Sequence, residues 1–155
     1  MAEIAEERME EIKEAYEIFC RSTEMTLGYD QVGDLFRAIN LNPTNEDVDN
    51  ALGNPSNEDM TSKTLKIEEF LPVYTKLITD FTEGTFDDIL EGVRVFDKEG
   101  NGTVMGAEIR HVIRTLGEKM TTQEISACMD GQEDMSGTIN IDTFCRYLID
   151  GKKPE

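Results

Sequence analysis

The chain has no tryptophan, one histidine, three cysteines and four prolines in 155 residues. His111 is the only histidine and the sequence supplies no nucleophile–base set around it, so an enzyme reading has no support. Cys20, Cys128 and Cys145 are odd in number and sit at no metal-ligand spacing. They read as reduced thiols of a cytosolic protein, not as a disulfide or zinc framework. No apolar run approaches the roughly 20 residues that a membrane-spanning helix needs. The first eight residues are acidic and lack the apolar stretch of a signal peptide. Positive charge is scarce: 15 Lys and Arg against 33 Asp and Glu leave a net charge of −18. The deficit runs along the chain, with 18 acidic against 7 basic residues in 1–80 and 15 against 8 in 81–155. Such a field disfavours nucleic acid and anionic membrane and favours cations or a basic partner.

What is present is a twelve-residue loop, DKEGNGTVMGAE, from Asp97 to Glu108. It follows the calcium-loop pattern of an EF-hand: acid first, oxygen side chains third and fifth, Gly sixth, an aliphatic eighth, Glu last. Asp97, Glu99 and Asn101 would offer side-chain oxygens and Thr103 its carbonyl, while Glu108 would clamp the ion with two oxygens. Gly102 would allow the sharp turn, and Val104 would anchor the loop in the core.

The aliphatic anchor recurs. Leu27, Leu65, Val104 and Ile139 lie 38, 39 and 35 residues apart. Each stands four residues before a helix-start position: Gln31, Glu69, Glu108 and Thr143. A period of this size marks a repeated supersecondary unit. Apolar residues at helical spacing flank the loops: Ile12, Ala15, Tyr16 and Phe19; Val32, Leu35, Phe36 and Ile39; Phe86, Ile89, Leu90, Val93 and Phe96; Ile109, Val112, Ile113 and Leu116. Thr44–Asp47 and Thr121–Glu124 read as capping boxes, the first supported by Pro43. The pattern predicts helices near 6–19, 29–39, 45–52, 67–78, 86–96, 106–116, 122–130 and 141–149. The fold class is therefore all-α: four EF-hand helix–loop–helix units in two paired, calmodulin-like lobes, with short β contacts between paired loops. The N-terminal lobe is expected over 1–78, a linker over 79–85 and the C-terminal lobe over 86–150, followed by a frayed tail, 151–155. Gly84 and three threonines weaken helix in the linker, and Phe81 gives it a residue that can pack.

Most of the loops lack ligands for calcium, which wants six to eight hard oxygens. On the same frame the first loop runs from Cys20, with Ser22 third, Glu24 fifth, Met25 where Gly belongs and Gln31 last. The second, counted back from Glu69, starts at Glu58, with Met60 third, Ser62 fifth and Lys63 sixth, a cation where an ion would approach. The fourth keeps Asp134, Ser136 and Gly137 but ends in Thr143, which cannot chelate with two oxygens. The third is the one candidate, and Met105 at its ninth place offers no oxygen. No cofactor is expected, and any calcium at Asp97, Glu99, Asn101, Thr103 and Glu108 is expected to bind weakly.

The residues resemble the essential, or alkali-type, light chain of myosin over nearly the whole chain. The most specific stretches are FDKEGNGTVMGAE ending at Glu108, RHV at 110–112 and LGEKM at 116–120. NPTN at 42–45, LGNP at 52–55, FLP at 70–72, QVGD at 31–34 and GQED at 131–134 also match. The resemblance implies a non-catalytic subunit that wraps an IQ-motif helix of the heavy-chain neck and stiffens it as a lever arm. The partner would be that basic helix, with a regulatory light chain as neighbour, in the cytoplasm and on the sarcomere in a muscle isoform. The Ala/Pro/Lys-rich extension of some muscle isoforms is not seen before the first helix, so no actin contact through it is expected. The alternative is a calcium sensor or buffer of the calmodulin or troponin C type acting through the third loop. The C-terminal lobe is expected to hold the partner with Phe86, Ile89, Phe96, Ile109, Ile113, Leu116, Met120, Met129, Phe144, Tyr147 and Leu148. Helical spacing alone does not separate core from groove among them. Calmodulin-like promiscuity rests on flexible methionines. Ile113, Cys128, Tyr147 and Leu148 at the corresponding places point to one committed partner.

Overall fold

A computed structural model describes residues 4–20 and 23–151, so Ser22 of the first loop and the tail 152–155 lie outside the described residues. The chain divides into two compact units, 1–83 and 84–155. Among the described residues no helix is long and apolar enough to cross a membrane.

The N-terminal unit opens with α1 (Glu6–Phe19), whose first-turn glutamates Glu6 and Glu7 face the positive end of the helix dipole. A two-residue strand β1 (Leu27–Gly28) leads through a 3-10 turn at Tyr29–Gln31 into α2 (Val32–Ala38). Then come α3 (Asn45–Leu52), α4 (Asn57–Ser62), β2 (Thr64–Leu65) and α5 (Ile67–Asp80). The C-terminal unit has α6 (Phe86–Arg94), β3 (Thr103–Met105), α7 (Gly106–Thr115), α8 (Thr122–Met129), β4 (Thr138–Asn140) and α9 (Ile141–Asp150).

The repeated aliphatic anchors meet in pairs. β1 and β2 run antiparallel with Leu27 opposite Leu65, and β3 and β4 with Val104 opposite Ile139. Each pair is buried and joins two loops through one short ladder. The sixth place of the loops shows what the turn demands. Gly102 and Gly137 adopt φ of 78° and 77°. Met25, at the same place in the first loop, adopts φ of 51°, a left-handed conformation that costs a non-glycine residue about 1–2 kcal/mol.

The second loop departs from expectation. Glu58, Met60 and Ser62, placed above at the first, third and fifth positions of that loop, lie within α4. Ser56 caps it: its Oγ accepts from Asp59 N at 3.1 Å, and Asp59 Oδ2 accepts from Ser56 N at 3.4 Å. The S-x-x-D start signal was present, and the loop frame counted back from Glu69 masked it. Lys63 is in extended backbone and pairs with Asp59 at 3.1 Å, so it does not project into an ion site. Thr44–Asp47 and Thr121–Glu124 do form capping boxes, as does Thr85–Asp88.

The N-terminal core is closed. Thirteen apolar residues are buried, with Phe36, Phe70 and Tyr74 in ring contact at 5.3 and 6.5 Å between centroids. The Tyr16 hydroxyl lies 2.7 Å from the Leu65 carbonyl and 2.9 Å from that of Met25, tying the first loop to β2. Burial pushes the Tyr16 phenol well above its ordinary range. Phe81, just beyond α5, packs on this same core.

Candidate partner-binding groove

The C-terminal unit is built differently. Its buried core is eight residues: Val104, Ile109, Ile125, Met129, Ile139, Ile141, Phe144 and Cys145. Helix α6 contributes none of them, although its apolar residues fall on one stripe. Phe86, Ile89, Leu90 and Val93 of α6, then Phe96, Ile113, Met120 and Tyr147, are only half-buried against that core. A helix that spends its whole apolar face at half burial leaves hydrophobic surface in water, an arrangement associated with a binding groove.

The structure thus separates residues that spacing could not. Of the expected partner-binding set, Phe86, Ile89, Phe96, Ile113, Met120 and Tyr147 are half-buried against the core. Leu116 is 63% exposed and Leu148 41%. Ile109, Met129 and Phe144 of that set are buried in the core. Leu90 and Val93 are half-buried as well and were legible as part of the α6 stripe.

The loops hold themselves closed with protein groups. In the third, Lys98 pairs with Glu108, the residue placed to clamp an ion. Asp97 accepts from the N–H groups of Asn101 at 3.2 Å and Gly102 at 2.8 Å, and Glu99 from Asn101 Nδ2 at 3.2 Å. In the fourth, Asp134 Oδ1 accepts from Thr138 N at 2.9 Å and from the Ser136 hydroxyl at 2.7 Å. These bonds lower its pKa below the ordinary 3.8. In the first, Gln31 is buried; it accepts from Gly28 N and donates to the Phe19 carbonyl, both at 3.1 Å. The twelfth places of the first, third and fourth loops carry Gln31, a lysine-paired Glu108 and Thr143. Among the described residues no group of three or more His, Cys, Asp or Glu is placed to hold a metal. Spacing could have flagged Lys98, since it lies inside the loop, but its direction is a matter of three dimensions.

A second ion pair locks the loops to the helices. Arg110 of α7 meets Glu133 with two bonds, Nε to Oε1 and Nη2 to Oε2, each 3.1 Å. The Glu133 side chain lies over Gly106, where a Cβ would collide with its carboxylate.

No family model matches the chain. It is 47% identical to human myosin light polypeptide 6 over 151 residues, 97% of this chain and all of that one. Its fold is similar to that of the Physarum polycephalum myosin II regulatory domain, at TM-score 0.75 and 25% identity, covering 94% of this chain and 97% of the other. It is also similar to Mlc1p, solved bound to IQ2 of Myo2p, a class V myosin, at TM-score 0.69 and 25% identity, covering 88% and 96%. Near-half identity across essentially the full length of both chains settles the family: the chain belongs to the myosin light chains.

Proposed function

We propose that this chain is a non-catalytic, essential-type light chain that clasps one IQ-motif helix of a myosin heavy-chain neck and stiffens it as part of a lever arm. It does so in the cytoplasm, beside a second light chain, without calcium as a switch. The observation that carries this is the half-open apolar face of the C-terminal unit, walled by an α6 with no buried residue. The N-terminal unit, with its core closed, adds a second contact whose effect is to raise effective concentration. The relatives named above support the partner class, one of them having been solved on an IQ segment. The charge of −18 suits the basic flanks of such a helix. Its acidic rim speeds encounter, and the apolar lining sets how long the complex lasts. The mechanism needs no reacting group, and His111 is an exposed residue of α7.

The test is the kinetics of an IQ-type peptide on the full chain, in EGTA and in calcium. Association and dissociation should agree in the two buffers. High salt should slow association and leave dissociation nearly unchanged. A tenfold requirement for calcium would assign the chain to the sensors instead.

A further inference from the structure

One cation stands against the groove lining. The guanidinium of Arg146, on α9, lies 5.0 Å from the centroid of the half-buried Phe86 ring on α6. Its Nε donates to Asp142 Oδ2 at 2.8 Å, one turn earlier on the same helix. Asp150, one turn later, adds a further attraction. The side chain is 63% exposed. The other paired cations of this unit are held elsewhere: Lys98 by Glu108 on the third loop and Arg110 by Glu133. Arg146 is thus a charge of the minority sign placed on the apolar wall of an acidic unit.

We propose that Arg146 is a specificity-determining residue of the groove, reading the charge of one position on the bound helix. It favours a carboxylate there and rejects lysine or arginine. This inference rests on the groove reading proposed above. A guanidinium held on an aromatic face and by Asp142 is a positive charge fixed in place, so a second cation set beside it is disfavoured. The unit as a whole carries 15 acidic against 8 basic residues over 81–155, a field that prefers basic residues. A helix that is basic along its length but carries an acidic residue at this place therefore fits in one register and one direction. The discrimination comes from a repulsive element, Arg146, set within an attractive field.

The test is a charge scan on the full chain in EGTA. A basic amphipathic helical peptide is made with Glu or Lys at each polar position in turn, and each affinity is measured by fluorescence anisotropy. Lys should be preferred throughout, except at one position, or two positions a turn apart, where Glu wins by roughly three- to tenfold. Arg146→Glu should reverse the preference there and nowhere else, and Arg146→Lys should keep it. Asp142→Asn leaves Arg146 in place without its intrahelical partner and should widen the preference. It supplies the same reading should Arg146→Glu fail to fold. A preference for Lys at every position, unchanged by Arg146→Glu or Asp142→Asn, overturns this proposal and leaves the groove standing. Failure of the wild-type chain to bind any of the peptides overturns the groove reading and this inference with it.

Discussion

The division between core and lining predicts that stability and affinity respond to different residues, and Phe144 and Leu116 make the sharpest pair. Phe144 is 4% exposed beneath the groove, so Phe144→Ala empties a packed site. Phenylalanine-to-alanine changes of this kind cost about 3–5 kcal/mol. In a unit as small as 84–155, each kcal/mol moves the melting temperature by about 4–8 °C. The expected drop is therefore at least about 12 °C, enough to leave a marginal unit largely unfolded. Leu116 has 63% of its surface in water. Scaling the 2–5 kcal/mol of a buried leucine truncation by the hidden third gives about 1 kcal/mol, a shift of a few degrees. Bound to a helix, the same side chain buries what it now exposes, worth about 1.5 kcal/mol or more, so Leu116→Ala should weaken peptide binding about tenfold. Differential scanning calorimetry and peptide titration on the two variants read the two quantities separately. Proportional losses of stability and affinity in both variants would show that no groove distinct from the core exists.

Further outcomes follow from the loops. Calorimetric titration with calcium in millimolar magnesium should show no micromolar site; if one appeared and vanished in Glu108→Gln, the third loop would be a working site after all. The folded Asp134 carboxylate is held below the ordinary 3.8 by the Thr138 amide and Ser136 hydroxyl. The stability it contributes is therefore present above that value and lost as pH falls beneath it. Acid unfolding of Asp134→Asn should accordingly be shallower than wild type below about pH 4, and an identical acid limb would refute the linkage. Gly106→Ala should cost about 1–3 kcal/mol by displacing Glu133 from Arg110. That cost should largely disappear in a Glu133→Ala background; simple additivity would show that the close approach is not its cause. Ser56→Ala should lower N-terminal stability by about 1 kcal/mol through loss of the α4 cap, measured by denaturant unfolding.

The parts of this molecule legible in sequence are those governed by local chemistry. The eighth-place anchors, the turn glycines Gly102 and Gly137, and the Thr44 and Thr121 caps were each readable because spacing alone fixes their role. The second loop was not, because the motif frame took precedence over Ser56–Asp59, a start signal of equal quality. The groove set was named but not sorted, since Phe144 and Leu148 occupy one helix at similar hydrophobicity and differ only in what packs beside them. Lys98, Arg110 and Arg146 escaped altogether. A cation's partner is chosen across elements, and nothing in a one-dimensional pattern says that Arg146 lies on Phe86.

The amide of Gln31 carries a consequence for how such a chain can change over generations. It gives a hydrogen to the Phe19 carbonyl and takes one from Gly28, so it closes the first loop as a neutral group that is donor and acceptor at once. A single change, Gln31→Glu, removes the donor and sets carboxylate oxygen against carbonyl oxygen in a buried place. The gain of an ion would need an acid at Cys20 as well, and the unfavourable intermediate lies between. Gln31 therefore acts as a barrier: a loop closed by a neutral amide resists conversion into an ion site by single substitutions.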